Sequence, residues 1–162
     1  MEELPKWNFQ QLSDIDKTYS KAEDIRSEAL RLKKEYNYDL SVRRSQEAFE
    51  LYLKVIFKLM KQKYPKSSRG HEPSAQIRAI YEKMKNILNK YGFRKEDIVR
   101  LLRGSIVLAS WRDPSFYGEE NLEELAISGT FTAKEAELAL EYADEAGSMC
   151  FSIRDYFYKN AP

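Results

Sequence analysis

The chain reads as an all-α protein, a five-helix antiparallel up-and-down bundle. Apolar residues recur every three or four positions almost throughout, strand-like alternation is hard to find, and the breaks between periodic stretches are mostly short. At 162 residues it fits one domain, 1–162. A domain of this size buries roughly 70% of the surface its unfolded chain exposes, so neither metal nor disulfide is needed to hold it together.

The first helix is expected to start near Ser13 with Asp16 in its first turn. Its inward face steps through Leu12, Ile15, Tyr19, Ala22, Ile25, Ala29, Leu32 and Tyr36. Asn37-Tyr38-Asp39 reads as a turn, with Asp39 as the N-cap of the next helix. From Leu40 to Tyr64 two apolar stripes run together: Ala48, Leu51, Tyr52, Val55, Ile56 and Leu59 on one, Phe49, Leu53, Phe57 and Met60 on the other. A helix apolar on two sides must be covered on two sides. The second stripe is expected to face a second subunit, which makes the protein a homodimer; enclosure within a monomer is the rival. The polar face of the same helix, Arg43, Glu47, Glu50, Lys54, Lys58 and Lys61, sets Glu50 four residues before Lys54. That is the spacing of a helical ion pair.

Pro65 to Pro73 is a loop by composition. The third helix carries Ile77, Ile80, Tyr81, Met84, Ile87, Leu88 and Tyr91 on one face, with Gly92 as its C-terminal cap. The fourth runs from about Lys95 to Arg112 with Ile98, Leu101, Leu102, Ser105, Ile106 and Ala109 inward, until Asp113-Pro114 disfavours continuation. Residues 113–131 are the longest stretch without periodicity, and such a loop in a compact domain is usually functional or mobile. Thr132 and Glu135 form a capping-box pattern opening the last helix, which buries Ala136, Ala139, Leu140, Ala143, Ala146, Cys150 and Phe157. The small residues of this face, with Gly147 beside them, favour close helix approach.

Composition excludes several classes of function. Lys plus Arg (27) nearly balances Asp plus Glu (26), so no global basic field draws nucleic acid, and any such binding must come from a local patch. Cys150 is the only cysteine and reads as a small buried hydrophobe. The N-terminus has no signal-peptide pattern, and no uncharged apolar run reaches about 18 residues, so a cytoplasmic protein without a membrane span is expected. His71, the only histidine, lies in the glycine- and proline-bearing loop and reads as solvated or turn-stabilising. Histidine triads and zinc sites of several imidazoles are thereby excluded within one chain. No CxxC pair, glycine-rich phosphate loop or HExxH pattern is present, and neither a metal nor a cofactor is expected.

What remains is Trp111-Arg112-Asp113-Pro114-Ser115-Phe116-Tyr117-Gly118, which sets an arginine, four other residues, then a tyrosine at the end of a helix. It stands with Tyr36-Asn37-Tyr38, with Gln46-Glu47-Ala48-Phe49-Glu50-Leu51-Tyr52-Leu53-Lys54, with the loop from Pro65 to His71, and with Phe131-Thr132-Ala133-Lys134-Glu135-Ala136. In this order and spacing the chain resembles the HEPN family. The resemblance implies a helical bundle that dimerises, often beside a minimal nucleotidyltransferase partner in toxin–antitoxin modules. Other members bind RNA or nucleotides, and in the active ribonucleases an arginine and a histidine at this spacing cut RNA without metal.

In this chain the histidine position is Tyr117. A general base near neutral pH needs a pKa near 7, whereas an unperturbed tyrosine titrates at about 10. Tyr117 can donate a hydrogen bond or stack on a base, but it abstracts a proton poorly. Where the motif commonly has asparagine, Asp113 sets a negative charge beside Arg112. The expected function is therefore binding of RNA, a nucleotide or a nucleotidyltransferase partner in a groove formed by Arg112, Asp113 and Tyr117, with Glu50 holding the arginine and catalysis weak or absent. A metal-independent toxin-type ribonuclease using Arg112 and Tyr117 is one alternative. A structural or regulatory adaptor, in which Arg112 pairs with Glu50 or Asp113, is the other.

Overall fold

The computed structural model describes residues 3–65, 73–112 and 131–162, and of Arg112 the backbone alone. Five helices make up the described residues: α1 (Phe9–Lys34), α2 (Tyr38–Leu59), α3 (Ser74–Lys90), α4 (Lys95–Arg112) and α5 (Ala133–Lys159). The all-α bundle is as expected, and the described residues contain no strand.

Contacts along α1 and α2 establish an antiparallel pair. Ser41 Oγ donates to the Ala29 carbonyl at 2.7 Å near the turn, Tyr52 Oη donates to Glu23 at 2.6 Å further along, and Trp7 Nε1 reaches the Leu59 carbonyl at 2.8 Å at the far end. α5 packs against both. It is antiparallel to α1, since Arg26 pairs with Asp144 and Arg154 with Asp16, and it therefore runs in the same direction as α2. α4 is antiparallel to α5: Arg100 reaches Glu145 at 3.4 Å, while Gly104 abuts the Tyr142 ring.

The α1–α5 seam is the most developed polar contact. The Arg154 guanidinium grips Asp16 through Nε and Nη2 at 2.7 and 2.9 Å and lies 4.7 and 4.9 Å from the Tyr19 and Tyr158 ring centroids. Burial pushes the Asp16 carboxyl upward, but hydrogen bonds from Arg154 and Tyr158 and the Arg154 charge outweigh it, leaving Asp16 below its ordinary value. Burial, with the Glu23 carboxylate beside it, raises the Tyr19 phenol to about 12.

Each helix end follows from its own capping chemistry. α5 begins with the expected capping box, Thr132 Oγ1 accepting from the Glu135 N–H and Glu135 from the Thr132 N–H. α1 begins four residues before Ser13 because Asn8 and Gln11 form a capping box of their own. The N-cap of α2 is Asn37 instead of Asp39, which lies in the first turn. α2 stops at Leu59, short of Tyr64. Its end is a Schellman turn: Lys61 takes φ 51°, and the Gln62 and Lys61 N–H groups return to the Phe57 and Lys58 carbonyls. α3 ends the same way with Gly92 at φ 81°, the residue expected there, and α1 with Tyr36 at φ 64°. Tyr36, placed on the inward face by spacing, is 80% exposed because the chain has already left the helix.

Two corrections concern packing. Phe49, Leu53, Phe57 and Met60 lie inside the single chain, none more than 6% exposed, so the second stripe of α2 is core and gives no support to a subunit interface. Ile106, expected inward, is 54% exposed, and Leu108 takes the buried position at 3%. The cause is Gly104. A Cβ there would lie 2.7 Å from Tyr142 ring atoms, so α4 presents its glycine to α5, and the rotation this sets turns Ile106 outward. On α5, Gly147 serves close approach as expected, facing the Tyr52 ring, and Cys150 is fully buried.

Candidate functional site

Arg112 is the last residue of α4. Helix C-termini favour cations, because the final carbonyls concentrate negative potential, so an arginine at this position has a structural reason besides any functional one. The turn before it is tied to the bundle: Gln46 Nε2 donates to the Leu108 carbonyl at 3.2 Å. The Trp111 ring stands 5.4 Å from the Phe131 ring at a 49° tilt, and the Phe131 N–H donates to Asp39 Oδ1 at 2.8 Å. The start of α2, the end of α4 and the approach to α5 thus meet at one place. The described residues stop at Arg112 and resume at Phe131 at this junction.

Asp113 and Tyr117 lie outside the described residues, as does His71. Glu50 lies on α2 and forms the expected pair with Lys54, Oε1 to Nζ 3.0 Å. The side chain of Arg112, the partner expected for Glu50, lies outside the described residues. Asp39 brings a carboxylate to this junction, where it accepts from the Phe131 N–H.

Gln46 and Asp39 carry the junction, and neither role was read from the sequence. Gln46 gave no clear signal, since it stands among Arg43, Arg44, Ser45 and Glu47; at 7% exposed, its amide must find a buried partner. Asp39 offered none, since its partner is 92 residues away.

Among the described residues no group of three His, Cys, Asp or Glu side chains could hold a metal ion, and no helix is long and apolar enough to cross a membrane. No curated protein and no solved structure matches the chain. The family model of the HEPN domain, a nucleotide-binding and ribonuclease-type helical family, matches residues 15–150. That span runs from the second turn of α1 to the middle of α5 and includes the α2–α4–α5 junction, and the chain accordingly belongs to the HEPN domain family.

Proposed function

We propose that this HEPN domain binds RNA or a nucleotide through the surface where α4 ends at Arg112, and that it cleaves RNA weakly or not at all. The observation that supports the reading is the junction itself. An arginine closes a helix whose last turn is fixed by Gln46, Trp111 and Phe131, so its backbone is held in place before any ligand arrives. A guanidinium presented from such a support can take a phosphate through two parallel hydrogen bonds. Tyr117, following five residues later, supplies a stacking face but a poor base.

A minimal nucleotidyltransferase partner would use the same end of the bundle. Homodimerisation, with α2 enclosed, is assigned instead to α4, where Val99 and Ile106 are 48% and 54% exposed one heptad apart with Leu102 half-buried between them. That spacing is the seam of a helix–helix contact.

Calorimetric titration with a dinucleotide tests the binding site. Arg112→Ala should weaken binding at least tenfold, since a hydrogen bond to a charged group contributes about 1.5–3 kcal/mol, while Tyr117→Phe, which keeps the ring, should change it less. Equal affinities for wild type and Arg112→Ala would remove Arg112 from the site. Robust metal-independent RNA cleavage by the wild type, lost in Arg112→Ala, would restore the toxin-type ribonuclease.

A further inference from the structure

A net charge of +1 conceals a segregated surface. Between Leu51 and Tyr64 the chain carries Lys54, Lys58, Lys61 and Lys63 and no acidic residue, and all four lysines are exposed. Lys54, paired with Glu50, and Lys58 stand one helical turn apart, about 5–6 Å at Cβ, and Lys61 follows just past the end of α2. By contrast, the first half of α5 carries Glu135, Glu137, Glu141, Asp144 and Glu145 against Lys134.

The lysine line runs into a groove. α2 stops at Leu59, and the segment before α1 folds back over this end, with the Trp7 indole on the Leu59 carbonyl and Lys61 Nζ 5.0 Å from the Trp7 ring centroid. Between that segment and α3 lies a groove of about 510 Å³, whose lining among the described residues includes Leu4 and Met60 together with Lys6, Lys61, Lys83 and Glu3. Lysines at the end of α2 alone would follow from the helix dipole. Lys6 precedes α1 and Lys83 sits mid-way along α3, so neither has that reason to be there. Three separate elements bring cations to one groove.

We propose that this groove and the lysine line leading to it bind the phosphate backbone of single-stranded nucleic acid, as an anchoring surface separate from Arg112. Several cations in succession suit a chain of closely spaced anions better than one carboxylate. Naming the strand as RNA rests on the function proposed above. The Arg112 end of α4 is level with the start of α2 and the groove with its finish, about 26 Å away at 1.5 Å per residue. At about 3.4 Å per stacked nucleotide, roughly eight nucleotides bridge them.

The test compares a single-stranded RNA dodecamer with a dinucleotide, by fluorescence anisotropy across a salt series. Each lysine–phosphate contact adds about 0.7 to the slope of log affinity against log salt, so the dodecamer should show the steeper slope. Lys58→Gln/Lys61→Gln/Lys83→Gln should lower that slope by about two and weaken the dodecamer at least about tenfold, with dinucleotide binding unchanged. These side chains are exposed, so an unchanged melting temperature serves as the folding control. A dodecamer slope no steeper than the dinucleotide's, or one indifferent to the triple variant, overturns the proposal while leaving Arg112-dependent binding intact. Lysine-dependent dodecamer binding with a silent Arg112→Ala supports the groove and removes the other site. Low-salt self-association that the triple variant abolishes, without RNA binding, would assign the groove to the acidic face of α5 in a second copy and overturn the proposal.

Discussion

α2 and α4 are both apolar on more than one side, yet only α2 is enclosed. α2 lies between α1 and α5, and the stripe of Phe49, Leu53, Phe57 and Met60 disappears into the core. α4 stands at the edge of the bundle, buries Leu101, Ser105 and Leu108, and leaves Val99 and Ile106 about half exposed. From sequence the expectation ran the other way, with the α2 stripe facing a partner and Ile106 facing the core. Composition does not separate the two helices. The number of neighbours does, and so does the place where a glycine lets one of them approach.

The largest effect should come from the enclosed stripe. Phe57→Ala is expected to cost about 3–5 kcal/mol in urea denaturation, because it removes a ring that is 1% exposed, and to leave the molar mass unchanged. A loss below about 1 kcal/mol would place that side chain outside the core. An intermediate effect belongs to the covered side of α4. Gly104→Ala gains about 1 kcal/mol of helix propensity, but its methyl would press on Tyr142 close to the root of the side chain, where the ring cannot swing clear. A net loss of about 1–2 kcal/mol in thermal denaturation is expected, and a stabilised variant would show that α4 can rotate. The smallest effect should come from the open side. Val99→Ser with Ile106→Ser should change stability by no more than about 0.5 kcal/mol per site while shifting the sedimentation mass toward the monomer. If the double variant lost more than about 2 kcal/mol without a change in mass, the contrast between the two helices would fail.

How much of this was legible depended on whether the signal was local. The cap of α3 at Gly92 and the box at Thr132 and Glu135 each depend on neighbours within a few residues, and each is as the sequence predicts. The start of α1 was misplaced because Ser13 and Asp16 imitate a cap that Asn8 and Gln11 supply one turn earlier. The end of α2 was overrun because Lys61 adopts a left-handed conformation that lysine does not advertise, and Tyr64 continues the apolar rhythm beyond it. At the candidate site Arg112 was legible as a helix end. The Gln46–Leu108 tie, 62 residues apart, was not.

The seam between Asp16 and Arg154 also bears on how the chain reaches its fold. Its partners are 138 residues apart, and the ties between α1 and α5 at Arg26–Asp144 and between α4 and α5 at Arg100–Glu145 equally wait for the helix that follows all the others in the chain. The α1–α2 hairpin can form early from nearby residues, but it then displays a flank of α2 built to meet α5. During synthesis that flank stays uncovered until α5 emerges, and covering it takes contacts between residues far apart in the chain, which slow folding. The helix with the smallest side chains on its inner face is the one that slots in last, into a space already shaped by the rest.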